Sequence, residues 1–359
     1  MSPLPLSRRG VFASHDTGPP KDTPVYTTLF ILHGYSFHSD IFTRLIPLAE
    51  TSRCRLVLVN RRGYPGAEPF TPQEISNLKA AGEAGRVDEV RTFCKERARE
   101  IYEFLTDFVQ TEKIPKDGGI ILSGWSFGII FAMLFLLHAE SFSASFDLRE
   151  YIHSVVLWGK HQRLGKYSGL TVDADTPNYC IGYDPQSVPG SWAPMTDTSI
   201  PYEENMKNVF PNWVSGYFRH EDAPGGLEFR HPGSYPPPSI SNIPVEYVDA
   251  APTSTEGSDT VMSDALLASN LMDEVRRAVY FRPDIDGWNG VPVRYVWCER
   301  STWMIVHGAR RTYEECDEAK RAGKSTRPIE IVRVKEQNHF AHWDAPETIF
   351  PALLGVSKV

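Results

Sequence analysis

Short runs of apolar, β-prone residues constrain this chain most. Tyr26–Leu32 (Y-T-T-L-F-I-L) and Arg55–Val59 (R-L-V-L-V) are apolar without alternation, so both faces of each strand must be covered. Four further runs follow at Ile120–Leu122, Ser154–Leu157, Val293–Trp297 and Ile329–Val334. Between them lie helical patterns. Asp40–Glu50 can form one helix. Val87, Val90, Cys94, Ala98, Ile101, Leu105 and Phe108 form an apolar stripe on a longer one, which Pro115 helps to stop. Phe127–His138 is apolar all round and so predicts a buried helix. Strands alternating with helices imply an α/β fold: a mostly parallel, doubly wound sheet with helices on both faces.

Residues 160–289 break this rhythm. The stretch is rich in Pro, Gly and aromatics, including Pro236-Pro237-Pro238, Trp192, Trp213, Tyr217 and Phe218. A long loop-like segment inside a domain is usually functional. It is expected to form a lid or cap domain inserted over the strand ends, with core at 1–159 and 290–359. Within it, Ser263–Arg282 predicts one helix with Leu267, Leu271, Val275 and Val279 on a face.

Charge and composition remove several classes of function. A net charge of −8 argues against a nucleic-acid partner, because phosphate binding needs a basic face. The most apolar stretch, Gly128–Ala139, is too short to span a bilayer. The first residues carry no apolar run like a secretory signal. Cys54, Cys94, Cys180, Cys298 and Cys316 are scattered, which fits reduced thiols in the cytoplasm. No histidine pair has zinc-ligand spacing and no Gly-rich phosphate cradle appears, so neither metal nor cofactor is expected. Oligomeric state is not readable.

The chemistry concentrates at Gly124-Trp125-Ser126-Phe127-Gly128. Chance supplies G-x-S-x-G in roughly one chain in seven of this size, so placement decides. Here it joins a strand to a buried helix, where the glycines allow a tight turn that lifts the Ser126 hydroxyl above the sheet edge. His33-Gly34-Tyr35 ends an earlier strand. The amides of Tyr35 and Phe127 would then form an oxyanion hole, with two donors aimed at a tetrahedral intermediate. After the last strand comes Asn338-His339-Phe340-Ala341-His342-Trp343-Asp344-Ala345-Pro346-Glu347. A histidine there can take the serine proton. His339 is preferred over His342 because it is nearer the strand end. Asp344 to Glu347 reads as a capped helix start.

These motifs, in this order, resemble the α/β-hydrolase superfamily over Tyr26–Trp158 and from Val291 onward. The resemblance implies the α/β-hydrolase fold, Ser126 as nucleophile and His339 as base. Arg61-Arg62-Gly63-Tyr64 is similar to the family's turn after the second core strand. A serine at the nucleophile position departs from the epoxide-hydrolase and haloalkane-dehalogenase branches, which use aspartate. The family's usual acid follows the strand at 293–298, where this chain reads Glu299-Arg300-Ser301. Ser301 holds the aspartate's place, which leaves Glu299 as the candidate acid. The alternatives are an acid from elsewhere, with Asp173 the first carboxylate after the Ser154 strand, or a Ser-His dyad supported by Ser301 or water.

The expected reaction is cleavage of an ester or lactone of a bulky, largely apolar small molecule, such as a secondary metabolite, through an acyl-enzyme. Gly34, Trp125, Trp158 and Trp303 are candidate substrate contacts because they flank the site or its lid. Acyl transfer or C–C cleavage at the same site is the alternative, and a non-catalytic binder is a third.

Overall fold

The computed structural model describes residues 4–142, 146–159, 179–183, 188–222, 226–248, 257–281 and 286–356. Among these residues the strands are β1 (Leu6–Arg9), β2 (Phe12–Asp16), β3 (Thr27–Leu32), β4 (Cys54–Asn60), β5 (Ile120–Trp125), β6 (Ile152–Trp158), β7 (Val293–Cys298) and β8 (Ile329–Val334). They form one sheet in the order β1-β2-β4-β3-β5-β6-β7-β8. The β1/β2 and β2/β4 pairs are antiparallel and all others parallel. The strand order reverses at β3, which has β4 on one side and β5 on the other. In such sheets ligands bind beyond the carboxyl ends at that switch point.

The six expected strands are all present. The β1–β2 hairpin was not expected; it turns at Gly10, with φ of 58°, and adds an antiparallel edge. The expected helix at Asp40–Glu50 is a 3-10 segment, Ser39–Leu45, followed by α1 (Ile46–Thr51), with Pro47 in its first turn. A capping box of Thr71 and Glu74 starts α2 (Pro72–Glu83). The long stripe forms α3 (Val87–Glu112), which buries Val90, Cys94, Ala98, Ile101, Leu105 and Phe108. Each of the larger ones, Val90, Ile101, Leu105 and Phe108, contributes roughly 1.5–3 kcal/mol when removed from water. Next is α4 (Gly128–His138), buried from Gly128 through Leu136.

The β6–β7 connection holds the shorter α5 (Tyr202–Glu204) and α6 (Phe210–Val214), then α7 (Ser258–Ser269) and α8 (Leu271–Tyr280). The single helix expected at Ser263–Arg282 is thus two, and it starts earlier. The chain breaks at Asn270, whose φ of 49° is the left-handed cap conformation that Asn tolerates. The break sends the two halves to different neighbours. α7 crosses α2 closely: a Cβ on Gly82 would lie 2.8 Å from the Ala265 Cα. α8 packs on α4, which is also covered by α3, and this explains why α4 is apolar all round. The chain closes with α9 (Trp303–Arg321), β8, α10 (Ala341–Asp344) and α11 (Pro346–Leu354). Among the described residues no helix is long and apolar enough to cross a membrane.

Candidate active site

Ser126 follows the last residue of β5 and has a φ of 57°, a conformation that costs a non-glycine residue roughly 1–3 kcal/mol. Its neighbours have no choice of residue. A Cβ on Gly124 would lie 2.4 Å from the Gly128 carbonyl oxygen, and one on Gly128 would lie 2.3 Å from the Leu32 carbonyl oxygen. The turn therefore closes only with glycines, and it is held by a 2.8 Å bond from the Ser126 N–H to the Trp158 carbonyl. A buried serine at positive φ between a strand and a helix is the geometry of a strand-to-helix nucleophile elbow.

The β3 end lies directly against it. A Cβ on Gly34 would come within 2.7 Å of the Ser126 Cβ, so only glycine allows this approach. The preceding His33 is buried and uses both ring nitrogens: Nδ1–H donates to the Gly34 carbonyl (2.8 Å) and Nε2 accepts from the Arg61 N–H (3.1 Å). Burial holds this imidazole well below its ordinary pKa, and the Arg61 charge adds to that. Tyr35 packs edge-on against Phe127 and against Phe210 of α6.

Arg61 is the centre of a buried network that the sequence did not reveal. Its guanidinium grips Asp259 of α7 with two bonds, 2.8 and 2.6 Å. The same group donates to the carbonyls of His33 (3.1 Å) and Gly34 (3.0 Å). The Tyr64 hydroxyl donates to Asp259 (2.6 Å) and accepts from the Ser36 N–H (3.2 Å). Burial would lower the Arg61 pKa, but the Asp259 charge outweighs it and the net shift is upward. Burial, then Asp259, pushes the Tyr64 hydroxyl well above its usual value. The Arg-Arg-Gly-Tyr motif was the only visible signal; Asp259 is 198 residues from Arg61 and has none of its own.

His339 is buried in the loop after β8. Trp125, the residue before Ser126, stacks on its ring at 4.6 Å and 20° and donates its Nε1–H to the His339 carbonyl (3.2 Å). On another side a Cβ on Gly159 would lie 2.9 Å from His339 Nδ1. Asn338 secures the loop, accepting from the Phe340 N–H and donating to the Ser215 carbonyl (2.6 Å) and to the Ser239 hydroxyl oxygen (2.7 Å). Asp344 does not cap a helix as expected. It accepts from the hydroxyls of Tyr217 and Ser239, while α11 starts at Pro346 with no side-chain cap. His342 lies among Phe42, Trp125 and Trp158, and burial pushes its pKa well below the ordinary value.

Glu299 is not brought to His339. One oxygen is paired with Arg333 and the other accepts the Glu336 N–H at 2.9 Å. Burial would raise its pKa, but these two partners outweigh it and hold the carboxyl below its ordinary value. The cause is strand parity. The Glu299 N–H bonds the Val334 carbonyl, continuing the ladder, so its side chain shares a face with Trp297 two residues earlier. Arg333 covers that Trp297 ring. Ser301 is fully buried where the family's aspartate would stand, and its carbonyl accepts from His220 Nε2. Asp173 lies outside the described residues.

Of the expected substrate contacts, Gly34 adjoins Ser126, while Trp125 supports His339. Trp158 is packed among Phe42, Trp125 and His342. Trp303 donates to the Trp192 carbonyl (2.8 Å) and meets the Phe229 ring, joining α9 to the β6–β7 connection. Among the described residues no group of three or more His, Cys, Asp or Glu could hold a metal ion.

Comparison with known proteins bears on the family and the fold. An epoxide hydrolase mutant from Vigna radiata superposes with a TM-score of 0.55 at 15% identity, covering 99% of each chain. A mutant epoxide hydrolase from Solanum tuberosum gives 0.52 at 14% identity over 96% of each. A structure from a study of carboxylesterases of the ammonia-oxidizing thaumarchaeon Nitrososphaera gargenis gives 0.51 at 11%, covering 98% of this chain and 97% of that one. No curated protein matches the sequence. These identities establish a shared fold only, but the family model described as "Alpha/beta hydrolase family" matches residues 29–352, and the chain therefore belongs to that family.

Proposed function

We propose that the protein is a serine hydrolase that cleaves an ester or lactone through an acyl-enzyme. The observation that carries this reading is the Ser126 turn: a buried serine at positive φ, closed on by Gly34, Gly124 and Gly128, and linked through Trp125 to His339. In the proposed mechanism His339 takes the Ser126 proton as Oγ attacks the substrate carbonyl. The Tyr35 and Phe127 amides stabilise the oxyanion, each worth roughly 3 kcal/mol in the transition state. Collapse breaks the ester C–O bond, and the departing alkoxide receives the proton from His339. Water, giving its proton to His339, then attacks the acyl carbon and releases the acid and free Ser126.

The epoxide hydrolases share the fold, but serine rather than aspartate stands at this chain's nucleophile turn, which favours acyl chemistry. A small-molecule substrate follows from the family. Aromatic side chains around Tyr35, including Phe210 of the inserted segment, favour a bulky apolar acyl or alcohol group. The five unbridged cysteines favour a reducing compartment such as the cytoplasm. A fluorophosphonate probe tests the nucleophile: stoichiometric labelling is expected and should vanish in Ser126→Ala. Labelling that persists in that variant overturns the assignment. Release of acid from a graded panel of aryl esters and lactones then identifies the substrate class.

A further inference from the structure

The peptide joining Gly34 to Tyr35 carries both a carbonyl and an oxyanion-hole donor. A trans peptide is planar, so its C=O and N–H point in opposite directions. The Gly34 carbonyl is gripped from one side by Arg61 Nη2 (3.0 Å) and His33 Nδ1 (2.8 Å). The Tyr35 N–H must then point to the opposite side. Whatever fixes Arg61, which also grips the carbonyl of His33, therefore helps to fix that donor.

What fixes Arg61 is Asp259, in the first turn of α7. Both guanidinium nitrogens that reach Asp259 are buried, and the aspartate is in turn held by Tyr64. A second bond joins the same two elements independently: the Tyr35 hydroxyl meets the Thr260 hydroxyl at 3.1 Å. α7 itself is seated on α2 by the close approach of Gly82 and Ala265. The chain of contacts runs from α2 through α7, Asp259 and Arg61 to the Gly34–Tyr35 peptide.

We infer that Asp259 is a positioning residue for the oxyanion hole: by orienting Arg61 it sets the direction of the Tyr35 N–H, so α7 is part of the catalytic apparatus. This rests on the serine-hydrolase reading. Asp259→Asn keeps the shape and one acceptor but removes the charge that orients the guanidinium. An oxyanion-hole donor is worth about 10²–10³ in rate, so a misdirected one should slow the reaction by about 10–100-fold.

The readout is the reaction of Ser126 with a fluorophosphonate. In that step Oγ bonds phosphorus, fluoride leaves, His339 accepts the proton, and the phosphoryl oxygen occupies the oxyanion hole. Asp259→Asn should lower the maximal rate constant of labelling, leave the probe's half-saturating concentration within about twofold, and leave the final amplitude stoichiometric. A purely structural role would reduce the amplitude, the folded fraction, and not the rate constant. If Asp259→Asn does not fold, Arg61→Lys decides. It keeps a buried cation opposite Asp259, but a single ammonium cannot hold the aspartate and two carbonyls in one fixed fork. Wild-type rate constants in the folded variant overturn the inference while leaving the serine reading intact. Absence of labelling in the unmodified protein overturns the serine reading itself.

Discussion

The two loops that flank the Trp125–Ser126 turn are held in different ways. The β3 loop, which carries the proposed oxyanion donor, is held by a buried ion pair, Arg61–Asp259. Among the described residues, the β8 loop, which carries His339, is held by the Trp125 ring, the Asn338 amide, and carbonyl and hydroxyl partners on the β6–β7 connection. The charge there, on Asp344, is spent on Tyr217 and Ser239. The difference follows from what each side must do. A backbone donor never changes protonation, so a permanent charge pair can fix it. In the proposed mechanism His339 gains and loses a proton in every cycle, and a fixed cation beside it would oppose the charged form. The indole face against His339 suits both states, since it packs against the neutral ring and attracts the charged one.

Crowding the base side should have the largest effect. Gly159 has a φ of 57°, and Gly159→Ala places a methyl group 2.9 Å from His339 Nδ1, closer than a carbon normally approaches. Turnover should fall by about 10²-fold or more, because a displacement of about 1 Å at a reacting group costs that much. Steady-state kinetics with circular dichroism to confirm folding measures it, and near-normal turnover would remove His339 from the base position.

An intermediate effect is expected in stability rather than rate. Burial holds His342 below its ordinary pKa in the folded state, so the unfolded chain binds the proton first. The stability this contributes is complete above the unfolded pKa near 6.5 and is lost as pH falls from there toward the folded value. The slope is up to about 1.4 kcal/mol per pH unit per group. Denaturant titrations from pH 7 to 5 should show a shallower decline in His342→Phe than in the wild type, with His33 still contributing. An unchanged slope would mean that His342 titrates normally.

The smallest effect is expected at Glu299. With both oxygens engaged by Arg333 and the Glu336 N–H, Glu299→Gln should leave kcat within about twofold and cost at most about 1 kcal/mol of stability. A loss of 100-fold or more would return it to the catalytic set.

What the sequence disclosed follows the range of the interactions involved. The Ser126 turn was legible because its constraints sit within five residues and between two periodic segments. Gly34 and His339 were legible as strand-end residues in a known order. The partners of Glu299 were hidden because closeness to a strand end does not give the face of the strand; its parity with Trp297, opposite Arg333, does. The α7–α8 break was hidden because a single apolar stripe continues through Asn270, while tertiary packing sends each half to a different partner. Asp259 was invisible for the opposite reason: it is an ordinary surface-type residue until Arg61 and Tyr64 are brought to it.

That pair bears on how freely such a chain can exchange its parts. A long segment between two core strands, such as the β6–β7 connection, invites treatment as a module, to be swapped between relatives by recombination or design. Here a graft lacking the carboxylate at 259 would strand the Arg61 charge in the interior, a loss of roughly 3–5 kcal/mol. Functional chimaeras should therefore inherit 61, 64 and 259 as one block, although the junction separating them in the gene is nearly two hundred codons wide.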